Sequence, residues 1–145
     1  MKLKLGRTIN HRHQMLKNLA ISILLYEKVT TTYAKAKAVK PLVDNAINIA
    51  KNNDLASRRQ LLSIFLHNKN VVEKLLKDLG PRFEKDASGY LKTIKDKPRV
   101  GDNAPQVILM LKKSKFIVRE TKKDNKENTV KKETIKDKKA ISKVK

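Results

Sequence analysis

The chain contains no cysteine. That excludes disulfides and thiolate metal sites and fits a reducing compartment. It also lacks a long apolar run. The stretch from Leu19 to Tyr26 is interrupted by Ser22, and it falls far short of the roughly 20 residues a spanning helix requires. No membrane partner is expected. His11, Arg12, His13, Gln14, Lys17 and Asn18 stand where the apolar core of a secretory signal would begin, so the N-terminus does not read as one. Catalytic signatures are missing as well: there is no HExxH, no Walker-type loop and no GxSxG. Of the three histidines, His11 and His13 would point about 200° apart on a helix and cannot share a metal. His67 reads as a polar residue at a helix end. With no nucleophile or acid–base constellation, the chain reads as a non-enzyme with no cofactor, no metal and no small-molecule substrate. Aromatic residues make up only 4%, which leaves Tyr90 as the one placed either to stack on an unpaired base or to pack in the core.

Acidic residues are scarce too. Asp and Glu number 14 against 35 Lys and Arg, a formal net charge of +21. Such an excess points to a polyanionic partner, with nucleic acid the first candidate. A basic tail alone does not account for it. Residues 1–111 carry 21 basic and 9 acidic side chains, and residues 112–145 carry 14 and 5. Only 7 of the basic residues are Arg. Arg makes forked contacts to phosphate that Lys cannot, so those positions draw interest.

The apolar pattern divides the first part into short elements. Residues 1–9 form a basic arm that Gly6 allows to turn. Residues 10–26 read as a helix capped by Asn10, with Met15, Leu16, Leu19, Ala20, Ile23 and Leu24 as its buried stripe. The β-branched run 27–33 favours a strand. A helix follows from Ala34, in which Pro41 should cause a kink or a local break. Leu55 to Leu66 predicts another helix, with Leu61, Leu62, Phe65 and Leu66 buried. A fourth helix begins at Asn70, read as a cap with Glu73 three residues on, and stops at Gly80–Pro81. Residues 81–87 read as a loop. Strands over Ser88–Ile94 and Ala104–Leu111 should form a hairpin around the Gly101–Asp102 turn, joined by the strand at 27–33 in one sheet. From Lys112 onward the apolar residues are too sparse to bury, and the segment reads as a disordered lysine-rich tail.

The candidate contact residues are basic. The arm and first helix supply Lys2, Lys4, Arg7, His11, Arg12, His13 and Lys17, with no acidic neighbour among them. Basic side chains at a helix start reinforce the anion affinity of its free N–H groups. Lys35 and Lys37 repeat the arrangement at the second helix. Arg58 and Arg59 form an adjacent pair on an outward face. Arg82 and Arg99 lie in segments read as loops. Phosphate contacts of this kind position a protein without reading sequence. A nucleoid-type DNA binder and a membrane-surface basic protein are the competing classes. The lack of a helix-turn-helix or zinc finger weighs against the first.

With these residues in view, a family resemblance can be stated. HRHQMLKNLAISILLYEKVTTTYAKAKAV at 11–39, NNDLASRRQLLSIF at 52–65 and VVEKLLKDLGPRFEKDASGYLKTIKDKPRVGDNAPQVILML at 71–111 closely resemble the bacterial-type large-subunit ribosomal protein L17 family. The signature is the combination and order of HR, TT…AKAK, RRQ, GPRF, GY and RxGDxAP. Where the family usually has GGYTR, this chain has Ser88, Gly89, Tyr90, Leu91 and Lys92. The resemblance implies an α/β (α+β) fold, a small two-layer domain of order α-β-α-α-α-β-β over residues 1–111. It implies a structural role in the large subunit of a cytoplasmic ribosome. Its partners would be large-subunit (23S-type) rRNA near the polypeptide exit tunnel and neighbouring ribosomal proteins. The arm, His11, Arg12, Lys35, Lys37, Arg58, Arg59, Arg82 and Arg99 match the family's basic positions.

Overall fold

The computed structural model describes residues 3–114. Lys2 and the part of the lysine-rich tail beyond Ser114 lie outside the described residues. The chain divides into two units, Met1–Lys112 and Lys113–Lys145. Every regular element among the described residues belongs to the first.

Helix α1 spans Ile9–Tyr26, one turn-start earlier than Asn10 suggested. The Arg12 N–H already reaches the Thr8 carbonyl at 2.9 Å, which makes Thr8 the N-cap. Strand β1 covers Lys28–Thr32 and runs directly into α2, Tyr33–Lys51. Helix α2 is unbroken through Pro41. Proline removes the N–H that would meet the Lys37 carbonyl, but Pro41 is exposed. The buried stripe Ala36, Val39, Val43, Ala46, Ile47 and Ala50 continues on both sides of it and holds the helix together.

Helix α3, Leu55–Ile64, ends sooner than its apolar pattern implied. Leu66 and His67 both adopt left-handed backbone, φ 55° and 59°. The His67 N–H bonds back to the Leu62 carbonyl at 2.8 Å, the signature of a helix-closing turn. This turn sends Leu66 outward, so it is exposed instead of buried. Asn68, not Asn70, then caps α4 (Lys69–Lys74), its Oδ1 accepting the Val71 N–H at 3.4 Å.

Gly80–Pro81 does not stop the chain's helical course. Residues Leu75–Leu79 widen into a π-type turn, and Gly80–Arg82 add a further helical turn, α5. The Gly80 N–H bonds the Leu75 carbonyl, five residues back. Pro81 thereby falls at the start of the new turn, where no N–H is needed. A Cβ on Gly80 would lie 3.0 Å from the Ala50 carbonyl oxygen, so α2 and this turn approach as closely as only glycine permits.

Strands β2 (Leu91–Lys95) and β3 (Gln106–Leu111) pair antiparallel, and β3 also pairs antiparallel with β1. The order is β1-β3-β2. Val107, Leu109 and Leu111 lie buried on one face of β3, in register with Thr31 and Val29 on β1 and with Lys95, Thr93 and Leu91 on β2. From Gln106 to Leu109 the alternation is that of a sheet covered on one side, and it ends at Met110, which is buried as well. The helices supply the second layer: Ala20, Ile23 and Leu24 of α1 and the α2 stripe share the core with Leu61, Phe65, Leu75, Leu79 and Phe83. The structure is thus a two-layer α+β domain in the element order expected from the sequence, with the π-type turn and the short α5 added before β2.

Tyr90 belongs to this core. It is 1% exposed and meets Phe83 edge-on, with ring centroids 5.1 Å apart. Its hydroxyl receives the Lys51 ammonium at 2.7 Å and faces Asn48 Oδ1 and the Ala87 carbonyl. Core packing is therefore its role, and its ring is closed to a base.

Candidate nucleic-acid interface

The arm bends at Leu5 and Gly6, which have φ of 57° and 61°. Arg7 is tied to that bend: its Nη1 donates to the Leu5 carbonyl at 3.1 Å. Its Nε is buried without a partner among the described residues. The bend brings Leu3 back over α1 and α2, where it borders a surface groove of about 710 Å³. Three of the sequence-derived candidates meet there, Arg12 and His13 from α1 and Lys37 from α2. Leu16, Ala38 and Pro41 line the rest.

The helical repeat explains this convergence. Positions three and four apart share a face, so Arg12 and His13 sit over Leu16, and Lys37 and Ala38 sit over Pro41. Helices α1 and α2 pack together and present these two stripes to the same groove. No acidic residue lines it. Arg12, His13 and Lys37 make no ion pair with another described residue. Neither α1 nor α2 has an acidic residue in its first turn, and neither Thr8 nor Thr32 bonds back with its side chain. Both helix starts therefore keep N–H groups and a positive dipole end with no internal counter-charge.

Other candidates stand apart from the groove. Lys4, His11, Arg58 and Arg59 are exposed, while Lys17 and Lys35 are half-buried. Arg58 and Arg59 lie on α3 and have no acidic partner among the described residues. Arg99 sits in the turn between β2 and β3. Its Nε donates to Asp102 Oδ1 at 2.9 Å, and the same carboxylate oxygen accepts the Ala104 N–H at 3.2 Å. The hydrogen bond from Arg99, then that from the Ala104 backbone, holds the Asp102 carboxyl down at about 2. Arg99 itself titrates above its ordinary value because of the same pair.

Arg82 departs furthest from its sequence reading. It is the last residue of α5 and not part of a loop. Its side chain is 15% exposed and reaches Glu27 at 3.1 Å, while Nη2 donates to Asp78 at 2.6 and 2.7 Å. Burial works against its charge, but the hydrogen bonds and charges of Asp78 and Glu27 outweigh it and hold the guanidinium above its usual pKa. Lys74 completes the cluster, 3.1 Å from Glu27 and 2.7 Å from the Leu25 carbonyl at the end of α1.

Sequence reasoning missed Glu27 and the groove's apolar wall. Glu27 carried one signal, as the single acidic residue among the first 43. Leu16 was assigned to the core but is only half-buried. Among the described residues no His, Cys, Asp and Glu cluster could hold a metal ion, and no helix is long and apolar enough to cross a membrane.

Helices on one side of a three-stranded sheet, with basic side chains and no carboxylate at the groove between the first two helices, define a small basic α+β domain. The chain matches the family model described as Ribosomal protein L17 over residues 15–112. It is 47% identical over 108 residues to the large ribosomal subunit protein bL17 of Natranaerobius thermophilus, covering 74% of this chain and 95% of that one. The bL17 protein of a Wolbachia pipientis strain is 48% identical over 111 residues, 76% of this chain and 78% of its own. That of Syntrophotalea carbinolica is 41% identical over 116 residues, 80% and 74% respectively. The chain belongs to the ribosomal protein L17 family, and its role is structural and ribosomal, not enzymatic.

Proposed function

We propose that this chain is a constituent of the large subunit of a cytoplasmic ribosome and binds large-subunit rRNA, near the polypeptide exit tunnel and beside other ribosomal proteins. The observation that carries the rRNA contact is the meeting of Arg12, His13 and Lys37 at one groove with no acidic residue. Lys4 and Arg7 of the arm, His11 and Lys17 of α1 and Lys35 of α2 add positive charge outside that groove, and Arg58 and Arg59 supply a second cationic point on α3. Binding rests on phosphate neutralisation and shape, because A-form duplexes hide their sequence in a deep, narrow groove. Residues 1–111 form the rRNA-binding domain in this reading, and the lysines of 112–145 add unspecific charge. The exit-tunnel position is what the family resemblance implies.

Sedimentation of a cell extract through a sucrose gradient tests the assignment. The chain should travel with the large subunit and stay there through a high-salt wash. A chain left at the top of the gradient, or sedimenting only with DNA, would reassign its basic surface to another polyanion.

A further inference from the structure

The groove between α1 and α2 is more than a patch of charge. A site that only neutralised phosphates would need cations on an open surface. Here Leu16, Ala38, Pro41 and Leu3 form an apolar wall beneath Arg12, His13 and Lys37, around a volume of about 710 Å³. That falls within the range of about 300–1,000 Å³ typical of small-ligand pockets. The matching ligand has an apolar body and an anionic group. Along an RNA strand, that description fits a single nucleotide.

We infer that the groove holds one unpaired nucleotide of its RNA, with the base against Leu16, Ala38 and Pro41 and the phosphate at Arg12 and Lys37. The inference rests on the rRNA-binding reading and narrows it. A base inside a duplex is stacked on both sides and cannot enter; a bulged or looped-out base can, and unpaired bases are what proteins read most readily in RNA. The chain's aromatic shortage fits this arrangement. Tyr90 is committed to the core, and a wall of Leu, Ala and Pro offers an apolar surface where another protein would use a ring. Charge complementarity sets the occupant's sign, since three cationic or titratable side chains border the groove and no carboxylate does.

Three fluorescein-labelled RNA hairpins test this with the full chain, read by anisotropy at one fixed salt concentration. One is fully paired, one carries a single bulged adenosine, and one carries an abasic bulge at the same place. The adenosine bulge should bind about tenfold more tightly than the paired hairpin, the order expected for burying one face of a base against an apolar wall, and the abasic bulge should fall back toward the paired value. Ala38→Leu fills the wall from the α2 side and should bring the bulged-to-paired ratio close to one. Pro41→Gln, at an exposed position, should lower the same ratio and serves if Ala38→Leu does not fold. Equal binding of the adenosine and abasic bulges would overturn the inference, because bulge flexibility alone would then explain any gain. A ratio unmoved by either substitution would place the base elsewhere and overturn it too. If all three hairpins bind alike, the nucleotide slot falls while RNA binding stands. If none binds, the rRNA reading fails and the inference with it.

Discussion

The carboxylate of Glu27 and the guanidinium of Arg82 meet 3.1 Å apart beneath the surface, joining the end of α1 to the end of α5. The Glu27 side chain is 5% exposed, and its backbone adopts φ 60° as the C-cap of α1. Its carbonyl accepts the Leu111 N–H at 3.0 Å. One residue thus ties a helix end, the end of the central strand and the α4–α5 segment. Arg82 serves this tie and leaves little of itself to reach an external phosphate.

Glu27→Gln would keep the shape and remove the charge that faces Arg82 and Lys74. The expected loss is about 2–3 kcal/mol in urea unfolding, at or below the lower end for breaking a buried pair, because Asp78 still faces Arg82. An unchanged midpoint and slope would mean the cluster is solvated enough to contribute nothing.

Arg12→Gln with Lys37→Gln should flatten the salt dependence of RNA binding. Each lost phosphate contact lowers the slope of log K against log salt by about 0.7–0.9, so the double variant should lose about 1.5. The same measurement on Arg82→Gln, which removes the charge while Lys74 still faces Glu27, should show no change in slope. A changed slope there would return Arg82 to the contact set.

Tyr90→Phe should cost stability and leave RNA affinity as it was. The hydroxyl bonds Lys51 at 2.7 Å within a half-buried network, and its removal should cost about 1–2 kcal/mol. Chemical denaturation reads the first effect and anisotropy the second. A loss of RNA affinity with stability intact would contradict the core assignment.

Asp102 provides a pH test. Its carboxyl is lowered from 3.8 to about 2, by Arg99 first and then by the Ala104 N–H. A depressed carboxylate contributes stability above its unfolded pKa, and that contribution disappears as pH falls through the folded value. The turn should therefore hold down to about pH 3.8 and loosen between there and about 2. Side-chain carboxyl NMR shifts should show the low midpoint, and Arg99→Gln should move it upward. A midpoint near 3.8 in the unaltered chain would mean that the pair does not persist in solution.

Gly80→Ala should destabilise the domain by about 1–3 kcal/mol, as overpacked interior positions do. The added methyl would press on the Ala50 carbonyl oxygen at 3.0 Å, and backbone cannot swing aside as a side chain can. A thermal unfolding curve indistinguishable from that of the unaltered chain would show that the two segments separate readily.

The elements most legible in the sequence were those set by repeating apolar residues. On α2 the spacing of Val39, Val43, Ala46, Ile47 and Ala50 gave period and buried face together, whereas Val107 to Leu111 of β3 read as a nearly continuous apolar run, which marks a strand without choosing its face. Local signals misled where a longer-range contact decided the outcome. Gly80–Pro81 has the composition of a helix stop, yet the wide turn at Leu75–Leu79 lets the chain continue, and the close approach to Ala50 is the reason glycine stands there. Leu66 continued an apolar period that the left-handed turn at residues 66 and 67 cuts short. Within the candidate site, the cations were visible because they lacked acidic neighbours. Arg82 had Asp78 and Glu84 close by in sequence, but reading its segment as a loop hid the pairing with Asp78 four residues back, and Glu27 stands far from it along the chain. The groove's wall was hidden for a similar reason: Leu16 and Pro41 become neighbours only when α1 packs on α2.

Strand β3 lies in the middle of the sheet and is also the last regular element among the described residues. During synthesis, β1 is made early and must wait for its partner, because β2 never pairs with it. The helices α1 and α2 can begin to associate meanwhile, since their contacts span little sequence. A nascent chain cut off before Gln106 would possess both flanking strands and no sheet at all. Completion of the fold therefore depends on the final stretch of the domain being translated, and prematurely ended products should expose unpaired strand edges of the kind that invite aggregation or degradation.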